Sequence, residues 1–295
     1  MTAAVFIDNV ESWSILPRRK GQYVINTWHG GGAYKGVGLM RRDTDPGIDR
    51  NMLSKNERID LYLSSSRAFT EMTLRSSFGY KGEVLECGMP RNDILLNYDA
   101  DKARQIRERL SVEPDRKLVL YAPTFRADRS SVCVPDVPAL ISALKERFGG
   151  EWTVLYRAHY YTDPDTAGNG GMIDVSGWED MQELLLISDV LITDYSSSIW
   201  DFSLLEKPGF LYVPDLSDYA GEREFYTPIG TWPYPYAQTM EELCGLIRSY
   251  DEDASLSRIR AHHKELQSTE SGKASETAAQ IAAAHAGMNA KEYSK

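Results

Sequence analysis

No apolar run in the 295 residues reaches the roughly 18 to 20 positions needed to cross a bilayer. The first thirty residues also lack a basic start followed by an apolar stretch, which is the pattern of a secretory leader. Spanning and exported proteins are both disfavoured, and a cytoplasmic location is expected. Cysteine is scarce. Cys87, Cys133 and Cys244 lie far apart with no CxxC pair, which suits reduced thiols better than a disulfide framework or a zinc site. Positive charge is short as well: 33 Lys and Arg face 43 Asp and Glu, and a net charge of −10 argues against nucleic acid as a partner. The deficit is uneven, because residues 1–97 carry 13 cationic against 11 acidic side chains and the remainder carries 20 against 32. Arg18, Arg19, Lys20, Lys35, Arg41, Arg42 and Arg50 give the first part a basic density suited to an anionic polymer or lipid headgroups, or else a solvated face.

What is present is enough for one large core or two ordinary ones, with 42% hydrophobic and 11% aromatic residues. Short apolar runs at 23–27, 61–64, 83–87, 117–121, 152–156, 190–193 and 210–213 read as strands. Helical spacing at 100–110, 137–148, 181–187 and 199–205 falls between several of them, and alternation of this kind predicts parallel α/β sheets. Runs 117–121 and 190–193 are almost uninterrupted, as strands covered by helices on both faces require. A break near 97–115, where a charged helix precedes a fresh strand, divides the chain into two α/β units. The chain opens directly on the apolar segment 3–7, so the first unit is expected to be abbreviated at its front. From Met240 the tail reads as helical, alanine-rich at 278–286, and either packs back across the units or frays.

Six segments carry chemistry. In Asp189-Val-Leu-Ile-Thr-Asp-Tyr-Ser-Ser-Ser-Ile-Trp-Asp201 a buried strand runs into a hydroxyl cluster and then a helix. Ser196, Ser197 and Ser198 then sit at a helix start, where free N–H groups attract an anion such as a diphosphate; a plain N-cap is the alternative. In Asn26-Thr-Trp-His-Gly-Gly-Gly32, followed by Tyr34, Lys35 and Gly38, a strand ends in a histidine placed to take a proton from a hydroxyl, beside glycines that let a ligand approach. Arg157-Ala-His159 closes another strand in the same manner, whereas His262, His263 and His285 lie in the polar tail and read as surface residues. Three loops each add an arginine suited to phosphate or to an ion pair: Gly88-Met-Pro-Arg-Asn-Asp93 with Arg91, Tyr121-Ala-Pro-Thr-Phe-Arg126 with Arg126, and 219–226 with Arg223.

In order and content these segments resemble the CDP-glycerol glycerophosphotransferase family of teichoic-acid and capsule polymerases. The resemblance covers roughly residues 20 to 275, and Thr193-Asp-Tyr-Ser-Ser197 is its most specific motif. It implies a GT-B-like α/β architecture of two nucleotide-fold domains with parallel sheets: an acceptor-side domain over 1–97, a CDP-donor domain over 98–262 and a helical tail over 263–295, with the active site between the domains. Carried onto this sequence, the catalytic residues are His29 and His159. The donor contacts are Arg157, Thr193, Ser196, Ser197, Ser198, Asp201 and Arg223. Trp28, Gly30, Lys35, Pro90, Arg91, Thr124 and Arg126 remain as contacts to acceptor or phosphate. The turn after His29 departs from the Trp-His-Gly-Thr-Pro-Leu-Lys-Lys pattern of many members, with Gly31 and Gly32 in place of Thr-Pro and Lys35 alone of the lysine pair.

The implied reaction moves glycerol phosphate, or a related alditol phosphate, from a CDP-alditol to a hydroxyl of a lipid-linked anionic polymer or primer, releasing CMP. The expected setting is peripheral, at the inner face of a membrane. No metal is required by the sequence, which lacks a tight carboxylate cluster, and a divalent ion is left open. Two rivals share the fold: a GT-B glycosyltransferase using a nucleotide sugar, and a non-catalytic homologue that only binds nucleotide or polymer.

Overall fold

The computed structural model describes residues 3–10, 18–40, 46–124, 134–157, 171–222 and 224–287. Arg41, Arg42 and Cys133 lie outside them. Contacts divide the chain into two compact units, one formed from Met1–Leu96, Gly221–Thr227 and His263–Lys295, the other from Asn97–Ala220 and Pro228–His262.

Among its described residues the first unit holds four parallel strands in the order β1 (Val5–Asp8), β2 (Tyr23–Asn26), β3 (Leu61–Ser64) and β4 (Glu83–Glu86). Successive side chains of a strand point to opposite faces, so β3 serves two cores. Tyr62 enters one with Val24, Phe69, Leu74, Phe78 and Tyr80. Leu61 and Leu63 enter the other with Ile25 and Ala278, where the C-terminal helix Ala274–His285 covers the sheet. The alanine-rich tail thus packs back onto this unit, and His285 at its end stacks on Tyr23 with ring centroids 3.6 Å apart. Between β3 and β4 the chain forms a π-helix, Phe69–Ser77, a rare element that is frequent at functional sites.

Among its described residues the second unit holds six parallel strands: β5 (Lys117–Ala122), β6 (Trp152–Tyr156), β7 (Ile173–Asp174), β8 (Val190–Thr193), β9 (Gly209–Tyr212) and β10 (Tyr236–Ala237). Their spatial order is β10-β9-β8-β5-β6-β7, the doubly wound arrangement of nucleotide-binding sheets. Val119, Tyr121, Val154, Tyr156, Val190 and Ile192 pack against the helices Val137–Phe148 and Met240–Arg248. Strand order reverses between β5 and β8, where Ala122 lies in register with Thr193. In open parallel sheets that switch point is where ligands bind, outside the carboxyl ends of the strands.

One sequence expectation is corrected here. His262 is not a surface residue: it is 6% exposed and meets Trp200 edge-on, with centroids 6.4 Å apart. The helix Glu252–Glu265 turns Ile259 and His262 inward together, as residues three apart on a helix share a face.

Candidate functional site

At the switch point of the second unit β8 ends at Thr193, fully buried, whose hydroxyl donates to the Ala122 carbonyl at 2.6 Å. The next residue, Asp194, is 2% exposed and acts as a clamp. Its carboxylate accepts the Thr124 N–H at 2.9 Å, the Thr124 hydroxyl at 2.5 Å and the Tyr195 N–H at 2.6 Å. The Tyr-Ala-Pro-Thr loop after β5 and the serine turn after β8 are therefore held by one anion, through charge-assisted bonds of the stronger kind. Tyr195 is fully buried, donates to Asp215 at 3.0 Å and stacks on Tyr219 with centroids 3.8 Å apart.

The three serines of the turn do different things. Ser196 accepts the Ser198 N–H at 3.2 Å, as a capping hydroxyl does, although the formal N-cap, Ser197, makes no side-chain cap bond. Ser198 opens the helix Ser198–Ser203, and its Oγ is buried without a hydrogen-bond partner. Buried hydroxyls are normally satisfied, and this one is the exception within the turn. The helix has six residues, so the hydroxyls and N–H groups of the turn, more than a long dipole, make the place suitable for an anion. Asp201, 4% exposed, accepts from the Gln182 side chain at 3.0 Å. Arg157 follows β6; its guanidinium donates to the Trp178 carbonyl at 2.6 Å, and burial pulls its pKa down against the opposing pull of Asp180.

In the first unit β2 ends at Asn26 and the chain turns sharply. Trp28 takes a positive φ of 53°, a conformation that a bulky side chain adopts only when its surroundings hold it. Its indole lies 4.0 Å from the His29 ring and meets Phe78 edge-on at 4.7 Å. His29 is exposed, with Nδ1 at 3.0 Å from the Asn9 carbonyl, and Gly30 beyond it is buried. Lys35 forms an antiparallel bridge with Phe225, flanked by a bond from the Gly36 N–H to the Glu224 carbonyl and one from the Tyr226 N–H to the Tyr34 carbonyl. Tyr226 and Ser77 share a short hydroxyl bond, tying the same segment to the end of the π-helix. The neighbours of Arg223 therefore belong with the histidine turn.

The Gly88-Met-Pro-Arg-Asn-Asp93 segment braces residues 270–275. Glu270 accepts the Met89 N–H at 3.0 Å and the Asn92 amide at 2.9 Å. Asp93 accepts the N–H groups of Ala274 and Ser275 at 3.1 and 2.6 Å, capping the C-terminal helix from outside it, and the Pro90 carbonyl accepts from Ser275 at 3.1 Å. Arg91 sits in the 3-10 turn Pro90–Asn92 among these braces. His159, Arg126 and Arg223 lie outside the described residues.

A family model described as CDP-Glycerol:Poly(glycerophosphate) glycerophosphotransferase matches residues 1–281. The chain belongs to the CDP-glycerol glycerophosphotransferase family. Among curated relatives of the family, the teichoic acid poly(glycerol phosphate) polymerase of Staphylococcus epidermidis is 33% identical over 93% of this chain. This chain spans only 40% of that relative's length. A variant of the wall teichoic acid polymerase TagF superposes with a TM-score of 0.81 at 30% identity, covering 97% of this chain and 73% of that one. The same variant soaked with CDPG superposes at 0.80 and 28%, covering 97% and 72%. This family member is accordingly α/β of the GT-B-like class, with two parallel sheets among the described residues.

Sequence reasoning named the segments of this family site and missed three of the residues that hold them. Asp194 and Asn26 stood inside quoted motifs without roles, and Glu270 stood outside every motif. A carboxylate one residue past a buried strand was the signal for Asp194, since an acid there finds N–H groups of the neighbouring strand's loop. Among the described residues no group of three or more His, Cys, Asp or Glu is placed to hold a metal ion, and no helix is long and apolar enough to cross a membrane.

Proposed function

We propose that this chain transfers glycerol phosphate from CDP-glycerol to a hydroxyl of an anionic, lipid-linked polymer or primer, with release of CMP. The observation that carries the reading is the unpartnered Ser198 hydroxyl at the β5/β8 switch point, in a turn clamped by Asp194. A diphosphate supplies the acceptor oxygens that such a turn is missing. The family's own description and the CDPG-soaked TagF structure support the donor.

In this reaction the acceptor oxygen attacks the β-phosphorus, the bond from that phosphorus to the CMP oxygen breaks, and the acceptor proton passes to His29. Phosphoryl transfer is governed by positioning and charge stabilisation. Ser196, Ser197, Ser198 and Thr124 position the diphosphate, Arg157 and Arg223 offset its charge, and His159 steadies the charge that develops on CMP. Trp28, Gly30, Lys35 and Pro90 line the acceptor's approach to His29, while Arg91 and Arg126 stand as secondary phosphate contacts. The basic residues of the first unit hold the polymer and the anionic membrane surface on which a lipid-linked acceptor is presented.

Thermal shift separates this reading from its rivals, because a ligand that binds the native state raises the melting temperature. CDP-glycerol is expected to raise it well above any effect of UDP-sugars at equal concentration. A shift with UDP-sugars and none with CDP-glycerol would turn the assignment towards glycosyl transfer.

A further inference from the structure

Asn26 is 1% exposed at the end of β2, and its side-chain amide spans two segments. Its Oδ1 accepts the Trp28 N–H at 2.7 Å, and its Nδ2 donates to the Val10 carbonyl at 2.7 Å. Both segments converge on one imidazole. Trp28 directly precedes His29 and lies against its ring, and Val10 directly follows Asn9, whose carbonyl sits 3.0 Å from His29 Nδ1. A carbonyl oxygen can only accept, so this contact is a hydrogen bond only when Nδ1 carries the proton. The neutral ring is then the Nδ1–H tautomer, with its lone pair on Nε2.

We infer that Asn26 is a positioning residue for His29: one buried amide holds the strained backbone that presents the histidine and, through the adjoining Val10 carbonyl, the segment whose Asn9 carbonyl fixes its tautomer. The inference rests on reading His29 as the base, and it states which nitrogen accepts the acceptor's proton, namely Nε2. The positive φ of Trp28 fits the same account. A strained residue persists where its surroundings over-determine it, and here the Asn26 bond to the Trp28 N–H and the Phe78 contact supply that constraint. Asparagine suits the position because it offers a donor and an acceptor a few bonds apart; aspartate offers acceptors only and would face the Val10 carbonyl with like charge.

Long-range proton–nitrogen NMR of the histidine side chains tests this directly, with the His29 signals identified by their loss in His29→Gln. In the wild-type chain, neutral His29 is expected to show a protonated Nδ1 and an unprotonated Nε2, and a predominantly Nε2–H ring would overturn the inference without any Asn26 variant having to fold. In Asn26→Ala and Asn26→Asp the Nε2–H form is expected to appear, with turnover falling roughly tenfold or more and little change in KM for the donor. Reduced turnover with an unchanged tautomer would also overturn it, because a merely structural role predicts that result. His29→Ala separates the two levels. If that variant turns over like wild type, the base assignment fails, while the tautomer spectrum still decides what Asn26 does.

Discussion

The carboxylate of Asp194 takes both the N–H and the hydroxyl of Thr124, at 2.9 and 2.5 Å, and so joins the loops that follow β5 and β8. Because it also takes the Tyr195 N–H, its removal strands three donors in a largely buried place. Asp194→Ala is expected to lower stability by about 2–4 kcal/mol. Asp194→Asn, which keeps one acceptor oxygen, should lose about half as much. Urea melts of the three proteins measure the difference, and equal midpoints would show that the clamp does not hold the loops.

Ser198 predicts a trade between stability and binding. Its buried Oγ has no partner, so Ser198→Ala should leave the unliganded chain unchanged or stabilise it by up to about 1 kcal/mol. The same change should weaken CDP-glycerol roughly tenfold by removing a donor to phosphate. Calorimetric titration alongside a thermal melt reads both, and unaltered affinity would place the diphosphate elsewhere.

Gly88 has a φ of 90°, and a Cβ there would lie 2.8 Å from Glu270 Oε2 and 3.1 Å from Glu270 Cα. Both the conformation and the space exclude a side chain. Gly88→Ala is expected to cost about 1–3 kcal/mol and to speed amide exchange in the helix Ala274–His285, which the Glu270 and Asp93 bonds anchor. Unchanged exchange in that helix would contradict the anchoring role given to this motif.

Much of the fold was legible in the sequence because buried parallel strands are continuous apolar runs. Leu61–Ser64, Trp152–Tyr156 and Val190–Thr193 fall where the sequence places them, as do the helices Val137–Phe148 and Met181–Ile187. The strands β7 and β10 escaped, since two residues carry no period to read. Segments whose place is set by distant partners were also hidden. Residues 224–226 run beside 34–36, and residues 266–269 bond to the chain after β3, and neither pairing leaves a local signature. At the site the residue types that could touch substrate stood out, whereas Asn26, Asp194 and Glu270 act on other protein groups. Inward-turned His262 shows the same limit: tail polarity suggested surface, and packing against Trp200 decided otherwise.

Cys87 offers a chemical test of the same region. Burial first, then the nearby charges of Glu270 and Asp93, push its thiol up to about 11. The nucleophile is the thiolate, so at pH 8 alkylation of Cys87 should be roughly a hundredfold slower than that of an ordinary thiol. Its rate should rise with pH and level off only near 11. Peptide mapping after iodoacetamide follows this site separately from the other cysteines, and rapid labelling at neutral pH would mean that the C-terminal segment does not cover it.

The central claim is alditol-phosphate transfer from a CDP donor. Incubation of the chain with CDP-glycerol and a lipid-linked primer, followed by nucleotide chromatography, tests it most directly. The account predicts primer-dependent release of CMP with glycerol phosphate added to the primer, largely abolished in His29→Ala. CDP-glycerol that stays intact with a competent primer, or CMP release that His29→Ala leaves untouched, would contradict it.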